Sequence, residues 1–228
     1  MTPRLRVRLA ILLGMRVPGW LDDTRISYDT VAASYADMLR DSLSGEPFQR
    51  GLLALFAEWV RAAGDGPVAD VGCGPGRLTG HLHGIGLDAF GVDLSPAMID
   101  VARREHPGLR FEVGSMTALD LPDGCLTGLL AWFSLIHVPD DEVPTVLAEF
   151  YRVLQPGGVL LVGFHAGQGS KLKTSGYGGH AMNVYVHRRT PAQVAGRLET
   201  AGFTVEAEMT HRPAPDVEGG FVFAHRQR

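Results

Sequence analysis

The chain has 228 residues, 45% of them hydrophobic and 20% charged, which fits one globular α/β domain and excludes disordered or collagen-like chains. A formal net charge of −4 leaves no general basic field, so we expect no nucleic-acid partner. The two cysteines, Cys73 and Cys125, lack CxxC spacing and a histidine cluster, which predicts no disulfide framework, no metal site and a cytoplasmic location.

The first twenty residues place three arginines before a short apolar run at residues 9–13. A signal peptide is disfavoured because the run is short and no small-residue cleavage pattern follows it. We interpret the segment as an amphipathic helix or an overlong gene start. No apolar stretch approaches the roughly 20 residues of a membrane span, so we expect no membrane association.

Two helices are predicted ahead of the first strand, over residues 28–41 and 48–62. The second carries apolar residues near helical spacing. We expect both to form a lid over the carboxyl edge of a sheet, so that residues 1–62 are an N-terminal helical segment and residues 63–228 the core of a single domain.

From residue 67 onward, apolar segments flanked by glycine alternate with helical patterns, which indicates repeated βα units around a parallel sheet. The predicted strands cover residues 68–71, 89–93, 109–113, 126–133 and 159–164, and helices are predicted near 77–87, 96–106, 141–154 and 191–201. Runs at 203–209 and 220–225 are expected to pair as a closing antiparallel hairpin. The predicted fold is α/β, a doubly wound, Rossmann-like, seven-stranded and mostly parallel sheet with an antiparallel last strand.

A glycine turn joins the first predicted strand to the next helix in the segment VADVGCGPGRLT. Gly72, Gly74 and Gly76 lack Cβ atoms, which allows a tight turn and lets a ligand lie against the backbone. A dinucleotide fingerprint would need glycine or alanine where Arg77 stands, and Pro75 removes an N–H donor for a pyrophosphate. A nicotinamide oxidoreductase is therefore disfavoured.

Asp93 ends the second predicted strand, in the segment GVDLSP. A carboxylate at this position of a doubly wound sheet can accept both hydroxyls of a ribose and would repel a 2′-phosphate. The alternative is that Asp93 only caps the helix that begins after Ser95. The two roles are compatible.

With these segments in place, the chain resembles the class I S-adenosylmethionine-dependent methyltransferases, in particular the small-molecule branch of type 11 and type 25 methyltransferases. The resemblance covers roughly residues 28–164. The matching segments occur in the family's order: VADVGCGPG, GVDLSP, EVGSMTALDLPDG, LLAWFSLIHV and LQPGGVLLVGF. It implies S-adenosylmethionine as cofactor and S-adenosylhomocysteine as product.

The resemblance also implies where the methionine and sugar of the cofactor bind. Asp70 would hold the methionine amino end, and Asp93 would take the ribose hydroxyls. The backbone of the glycine turn would lie along the methionine and sugar, at Gly72, Cys73, Gly74 and Gly76.

Further positions are implied for the adenine and the closing aromatic groups. Leu94 and Met98 would flank the adenine, and Ser115 with Met116, after Gly114, would meet its polar edge. Ala131 would offer a backbone contact near the amino group. Tyr28 and Tyr35 stand where the family often closes aromatic rings over the cofactor; the alternative for both is packing of a helix face.

Methyl transfer from a sulfonium needs mainly alignment and desolvation, with a base only for acceptors that lose a proton. His137 follows the fourth predicted strand on the ligand-facing edge and is the candidate general base; the alternative is a structural role in orienting its loop. Asp140 and Asp141 give weak support to a metal.

An insertion near residues 165–189 is expected to cover the acceptor. Tyr177, His180 and Tyr185 are its candidate substrate-binding residues, with His165 a weaker one; the alternative is an exposed loop or β extension. The predicted function is methyl transfer to O or N of a small organic acceptor in secondary metabolism. A catalytically silent cofactor-binding or regulatory protein on the same fold stays open, as does assembly into a homodimer.

Overall fold

The structure is a computed structural model that describes residues 19–228, so the interpretation of the first eighteen residues lies outside the described part of the chain. The helices are α1 (Trp20–Leu39), α2 (Pro47–Ala63), α3 (Arg77–Gly84), α4 (Pro96–Glu105), α5 (Val143–Val153) and α6 (Pro191–Thr200), with a 3₁₀ turn at Leu135–His137. The strands are β1 (Val68–Val71), β2 (Ala89–Asp93), β3 (Phe111–Val113), β4 (Leu126–Trp132), β5 (Leu154–His165), β6 (Ser170–Gly176), β7 (His180–His187), β8 (Phe203–Ala214) and β9 (Val217–Arg226).

Seven strands form one sheet in the order β3-β2-β1-β4-β5-β9-β8. The first five strands pair in parallel, and β9 runs antiparallel to both neighbours, β5 and β8. This confirms the predicted doubly wound, mostly parallel sheet with an antiparallel last strand. The order reverses at β1 and β4, so their carboxyl ends flank a crevice in which such folds bind ligands.

Helices cover both faces of the sheet because neighbouring residues of each strand point to opposite sides. Leu129 and Leu160 belong to the cluster with α5 and α6, whereas Leu130 and Leu161 belong to the cluster with α2 and α3. Phe56 of α2 is fully buried there. Helix α2 thus packs into this core cluster, and the division into a helical segment at residues 1–62 and a core at residues 63–228 stays a prediction.

Among the differences from the sequence predictions are the starts of two elements and the structure of one glycine-rich stretch. Helix α1 begins at Trp20, eight residues before its predicted start, because its polar first turns carry little apolar periodicity. Strand β5 begins at Leu154 rather than residue 159, since the chain stays extended through the Pro-Gly-Gly segment. The glycine-rich stretch after β5 forms a two-stranded antiparallel sheet, β6–β7.

Within residues 19–228, none of the helices combines the length and apolar character that crossing a bilayer requires.

Candidate active site

A cleft of about 730 Å³ opens at the carboxyl ends of β1, β2 and β4. Eleven of the residues predicted for cofactor or catalysis line it: Tyr28, Tyr35, Gly72, Gly74, Asp93, Leu94, Met98, Gly114, Ser115, Met116 and His137. The other predicted residues do not line it: Asp70, Cys73, Gly76, Ala131, Tyr177, His180 and Tyr185. A crevice at this position of a doubly wound sheet is where such folds bind ligands.

The glycine loop after β1 has backbone conformations that favour glycine. Gly72 has φ of 79°, and a Cβ there would lie 2.2 Å from Cβ of Ser134. A Cβ on Gly74, where φ is 55°, would meet Tyr35 at 3.8 Å and Met98 at 4.0 Å. The missing atom thus leaves a groove between the loop, α1 and α4.

Asp93 fastens the turn at the end of β2 while facing the cleft. Its two carboxylate oxygens accept the N–H groups of Gly74 and Ser95, each at 2.8 Å. Burial raises the pKa of Asp93 to about 6, against the lowering effect of those N–H donors. Ser95 Oγ in turn accepts the N–H of Met98 at 3.1 Å and caps α4. The capping and ligand-facing roles of Asp93 coexist in this geometry.

Asp70 lies beneath the glycine loop rather than in the cleft. Its carboxylate accepts the hydroxyl of Thr79 at 2.7 Å, and burial raises the pKa of Asp70 to about 7. The nearby Arg77 has a buried guanidinium nitrogen without a hydrogen-bond partner. Cys73 and Ala131 are buried, so any contribution from them to the cleft comes through the backbone.

Tyr28 and His137 meet in the cleft. The Tyr28 hydroxyl lies 2.6 Å from His137 Nε2, and His137 Nδ1 lies 2.9 Å from the backbone oxygen of Tyr185. A carbonyl can only accept, so Nδ1 carries the proton and Nε2 accepts from Tyr28. Burial lowers the pKa of His137 to about 4, so at neutral pH the ring is uncharged and both of its nitrogens are occupied.

The loop that carries His137 is held from below by Arg189. This buried side chain donates to Asp140 at 2.9 Å and to the backbone oxygens of Leu135 and Val138 at 3.1 and 2.6 Å. Charged donors on buried carbonyls make strong hydrogen bonds. Asp140 is therefore engaged in positioning the loop.

Among residues 19–228, no cluster of histidine, cysteine and acidic side chains is arranged to hold a metal ion.

Helix α1 closes one side of the cleft and is tied to two other elements. Asp29 accepts the Ser95 hydroxyl at 2.6 Å and the Ala97 N–H at 3.2 Å, at the start of α4. The Ser27 hydroxyl accepts the N–H of Asn183 in β7 at 2.8 Å. These contacts fix the position of the Tyr28 ring between them.

The predicted substrate residues lie in the β6–β7 hairpin, outside the cleft lining. The Tyr177 ring packs against Tyr35, with centroids 4.6 Å apart. The Tyr185 side chain is half exposed, and only its backbone oxygen reaches the site. His180 is exposed, and His165 packs against Phe133 at 5.0 Å between ring centroids. Contact of these residues with an acceptor stays a prediction.

Several cleft residues were not predicted from the sequence. On α1 these are Trp20, Leu21, Thr24 and Arg25, and around the end of β4 they are Trp132, Phe133, Ser134 and Val138. The spacing of Trp20, Thr24 and Tyr28, each four residues apart, places them on one face of a helix. That spacing could have indicated these cleft residues, but only if the helix had been predicted to begin at Trp20.

Comparison with known proteins agrees with this geometry. Residues 68–158 match the family model described as a methyltransferase domain. The demethylmenaquinone methyltransferase of Renibacterium salmoninarum is 33% identical over 141 residues, which cover 62% of this chain and 58% of that protein. The malonyl-[acyl-carrier protein] O-methyltransferase of Serratia marcescens is 35% identical over 92 residues, 40% of this chain and 35% of that protein. The chain thus spans less than two thirds of these relatives.

Solved structures share the fold over most of the chain. The 1,6-didemethyltoxoflavin-N1-methyltransferase of Burkholderia thailandensis, solved with 1,6-didemethyltoxoflavin and S-adenosylhomocysteine, has a TM-score of 0.69 at 23% identity. It covers 93% of this chain, which covers 92% of that structure. The CcbJ methyltransferase of Streptomyces caelestis has a TM-score of 0.68 at 19% identity, with 89% and 98% of the two chains covered. At 19 to 23% identity, these likenesses confirm the predicted fold.

Proposed function

We propose that this chain, whose residues 68–158 match the family model of a methyltransferase domain, transfers a methyl group from S-adenosylmethionine to O or N of a small organic acceptor. S-adenosylhomocysteine is the second product, and the acceptor belongs to secondary metabolism. The observation that carries the proposal is the Tyr28–His137 contact, which stands in the same cleft as Asp93 and the glycine loop.

The residues of the cleft fit the proposed cofactor. The groove left by Gly74 between Tyr35 and Met98 can hold the methionine and sugar of the cofactor against the backbone. Asp93 keeps lone pairs free after accepting two N–H groups, and these can accept ribose hydroxyls. Leu94, Met98 and Met116 line the adjoining part of the cleft and provide apolar contact for an adenine.

The cofactor supplies a methyl group on a positively charged sulfur, and the protein aligns the acceptor and removes its proton. An acceptor cannot reach His137 Nε2 directly, because the Tyr28 hydroxyl already occupies it. We therefore place Tyr28 between the two. Its oxygen takes the acceptor proton while its own proton moves to Nε2, and the Nδ1–H bond to the Tyr185 carbonyl steadies the charged ring.

We further propose a cytoplasmic protein that acts on a small molecule rather than on nucleic acid, with a homodimer as its assembly. The acidic net charge of the chain supports the choice of acceptor. Light scattering in solution tests the assembly.

Calorimetry with S-adenosylmethionine tests the site. Asp93→Ala is expected to weaken binding by at least about tenfold, because charged hydrogen bonds are lost. Asp100→Ala, on the exposed face of α4, is the matched control. Equal binding by wild type and Asp93→Ala would disprove the site.

An acceptor panel separates the enzyme from a silent cofactor-binding or regulatory protein. Cofactor binding without any methylated product would favour the silent protein.

A further inference from the structure

The cleft lining that is not assigned to the cofactor includes the polar side chains Thr24, Arg25 and Ser134 and a group of apolar ones. The apolar group comprises Trp20 from α1, Trp132 and Phe133 from the end of β4, and the neighbouring Val138. We call this apolar group the aromatic side. It adjoins the Tyr28–His137 pair, since His137 lies on the loop that Phe133 begins. Aromatic rings bury large apolar area and prefer other rings at stacked or edge-on geometry.

Phe133 is held at the cleft by a strained backbone. Its φ is 52°, a left-handed conformation that is uncommon for a bulky residue. Its N–H donates to the Gly163 oxygen at 2.7 Å, and its ring lies 5.9 Å from Trp132 and 6.0 Å from Phe221 between centroids. Strain of this kind persists when it serves a local purpose. The half-buried ring also lies 5.0 Å from the ring of His165, and Phe133 lines the cleft.

The charges that line the described part of the cleft are already balanced by protein groups. Arg25 pairs with Asp29 at 3.3 Å and with Asp22 at 3.7 Å. Asp93 accepts two backbone N–H groups. Burial lowers the pKa of His137 to about 4 and keeps it neutral. The protein side chains that line the described cleft therefore offer an ionised acceptor no unpaired charge of their own, and burying such a charge is costly.

The Tyr28 oxygen, beside the aromatic walls, can accept a hydrogen bond from a hydroxyl group of the methyl acceptor. The Tyr28 oxygen donates its proton to His137 and keeps its own lone pairs for a donor. A group that carries a proton to be removed matches this arrangement better than an ionised carboxylate does.

From the aromatic walls, the balanced charges and the Tyr28 oxygen together, we infer that the acceptor is a neutral, planar aromatic compound bearing a hydroxyl group. This inference rests on the proposed function and narrows its acceptor to one chemical class.

Three bicyclic probes of similar size test the inference by calorimetry. 2-Naphthol is neutral and planar, 2-naphthoate is planar and anionic, and decahydro-2-naphthol is neutral and saturated. Each is titrated into the full chain with and without saturating S-adenosylhomocysteine. The expected result is that 2-naphthol binds at least about tenfold more tightly than the other two probes. Equal or tighter binding of either of them, or no binding of 2-naphthol, overturns the inference.

Variants locate the probe. Phe133→Leu is expected to weaken 2-naphthol binding by about three- to tenfold and to leave S-adenosylhomocysteine binding unchanged. Trp20→Leu gives the same measurement if Phe133→Leu does not fold. Trp59→Leu, which removes a ring that packs on Phe223 outside the cleft, is the control. Unchanged 2-naphthol affinity in both cleft variants contradicts the inference. Failure of S-adenosylhomocysteine to bind wild type refutes the proposed function, and the probe ranking without it still decides which class of compound the cleft binds.

Discussion

The hydroxyl of Tyr28 on α1 lies 2.6 Å from Nε2 of His137 on the loop after β4. The backbone oxygen of Tyr185 occupies the other ring nitrogen, so three elements converge on one imidazole. The hairpin β6–β7 thereby fixes the tautomer of His137 through its backbone. Helix α1 and the β6–β7 hairpin therefore both orient the imidazole that is proposed to receive the acceptor's proton.

Tyr28→Phe removes the hydroxyl between the acceptor and His137 and keeps the ring. We expect the turnover number for a hydroxyl acceptor to fall by about 100-fold or more, because general-base catalysis contributes on that order. Cofactor affinity should stay near the wild-type value, since the ring still borders the cleft. Steady-state kinetics and calorimetry with S-adenosylhomocysteine check the two parts.

Tyr151→Phe is the control for this change, because Tyr151 packs against Phe203 away from the cleft. His137→Ala should show the same loss of turnover as Tyr28→Phe, and the double variant little more than either. If the losses in the two single variants multiply in the double variant, the residues act independently and the relay is wrong.

Gly72→Ala and Gly74→Ala distinguish the cost of a strained backbone from the cost of a steric clash. Both residues have positive φ, so alanine is strained at either by about 1 kcal/mol or more. Only at Gly72 would the new Cβ also clash, 2.2 Å from Ser134. We expect Gly72→Ala to lower the free energy of unfolding by about 3 kcal/mol and Gly74→Ala by about 1 kcal/mol, as measured by urea denaturation.

Among variants that remain folded, we expect Gly74→Ala to lose more affinity for S-adenosylhomocysteine than Gly72→Ala does. Alanine at position 74 fills the groove between Tyr35 and Met98, in which the ligand is proposed to lie. Full affinity in Gly74→Ala would show that the ligand does not lie along this groove.

The strands of the core could be predicted closely because each has a local sequence pattern. Strands β1 and β2 begin and end at the predicted residues, since each is a short apolar run next to glycine or a charged residue. The β6–β7 hairpin also had a pattern: Met182, Val184 and Val186 alternate with polar residues in β7, which is the period of a strand.

The central contact of the site has no local pattern. Tyr28 and His137 are 109 residues apart, and they meet only because α1 lies across the ends of the strands. The resemblance to a family assigned Tyr28 to the cofactor, and the place of His137 after the fourth strand suggested catalysis. Their pairing required the tertiary structure. The same is true of Phe133, because a positive φ at a bulky residue is not encoded by spacing or composition.

Asp70→Asn tests how burial of the carboxyl beneath the glycine loop affects stability. Burial raises the pKa of Asp70 to about 7, above its ordinary value near 3.9. Between these two values the unfolded chain has released a proton that the folded protein retains, so this group makes the fold less stable as pH rises. Asparagine does not titrate, and its side-chain oxygen can still accept the Thr79 hydroxyl.

The stability of Asp70→Asn relative to wild type should therefore increase from pH 4 to pH 7, by up to about 1.4 kcal/mol per pH unit, and level off above pH 7. The difference between the two proteins isolates Asp70, because His137 and Asp93 titrate in both. Asp100→Asn, at an exposed position of α4, is the control variant. Urea denaturation at several pH values measures the difference, and a difference that is constant with pH would place Asp70 in an environment where its carboxyl ionises normally.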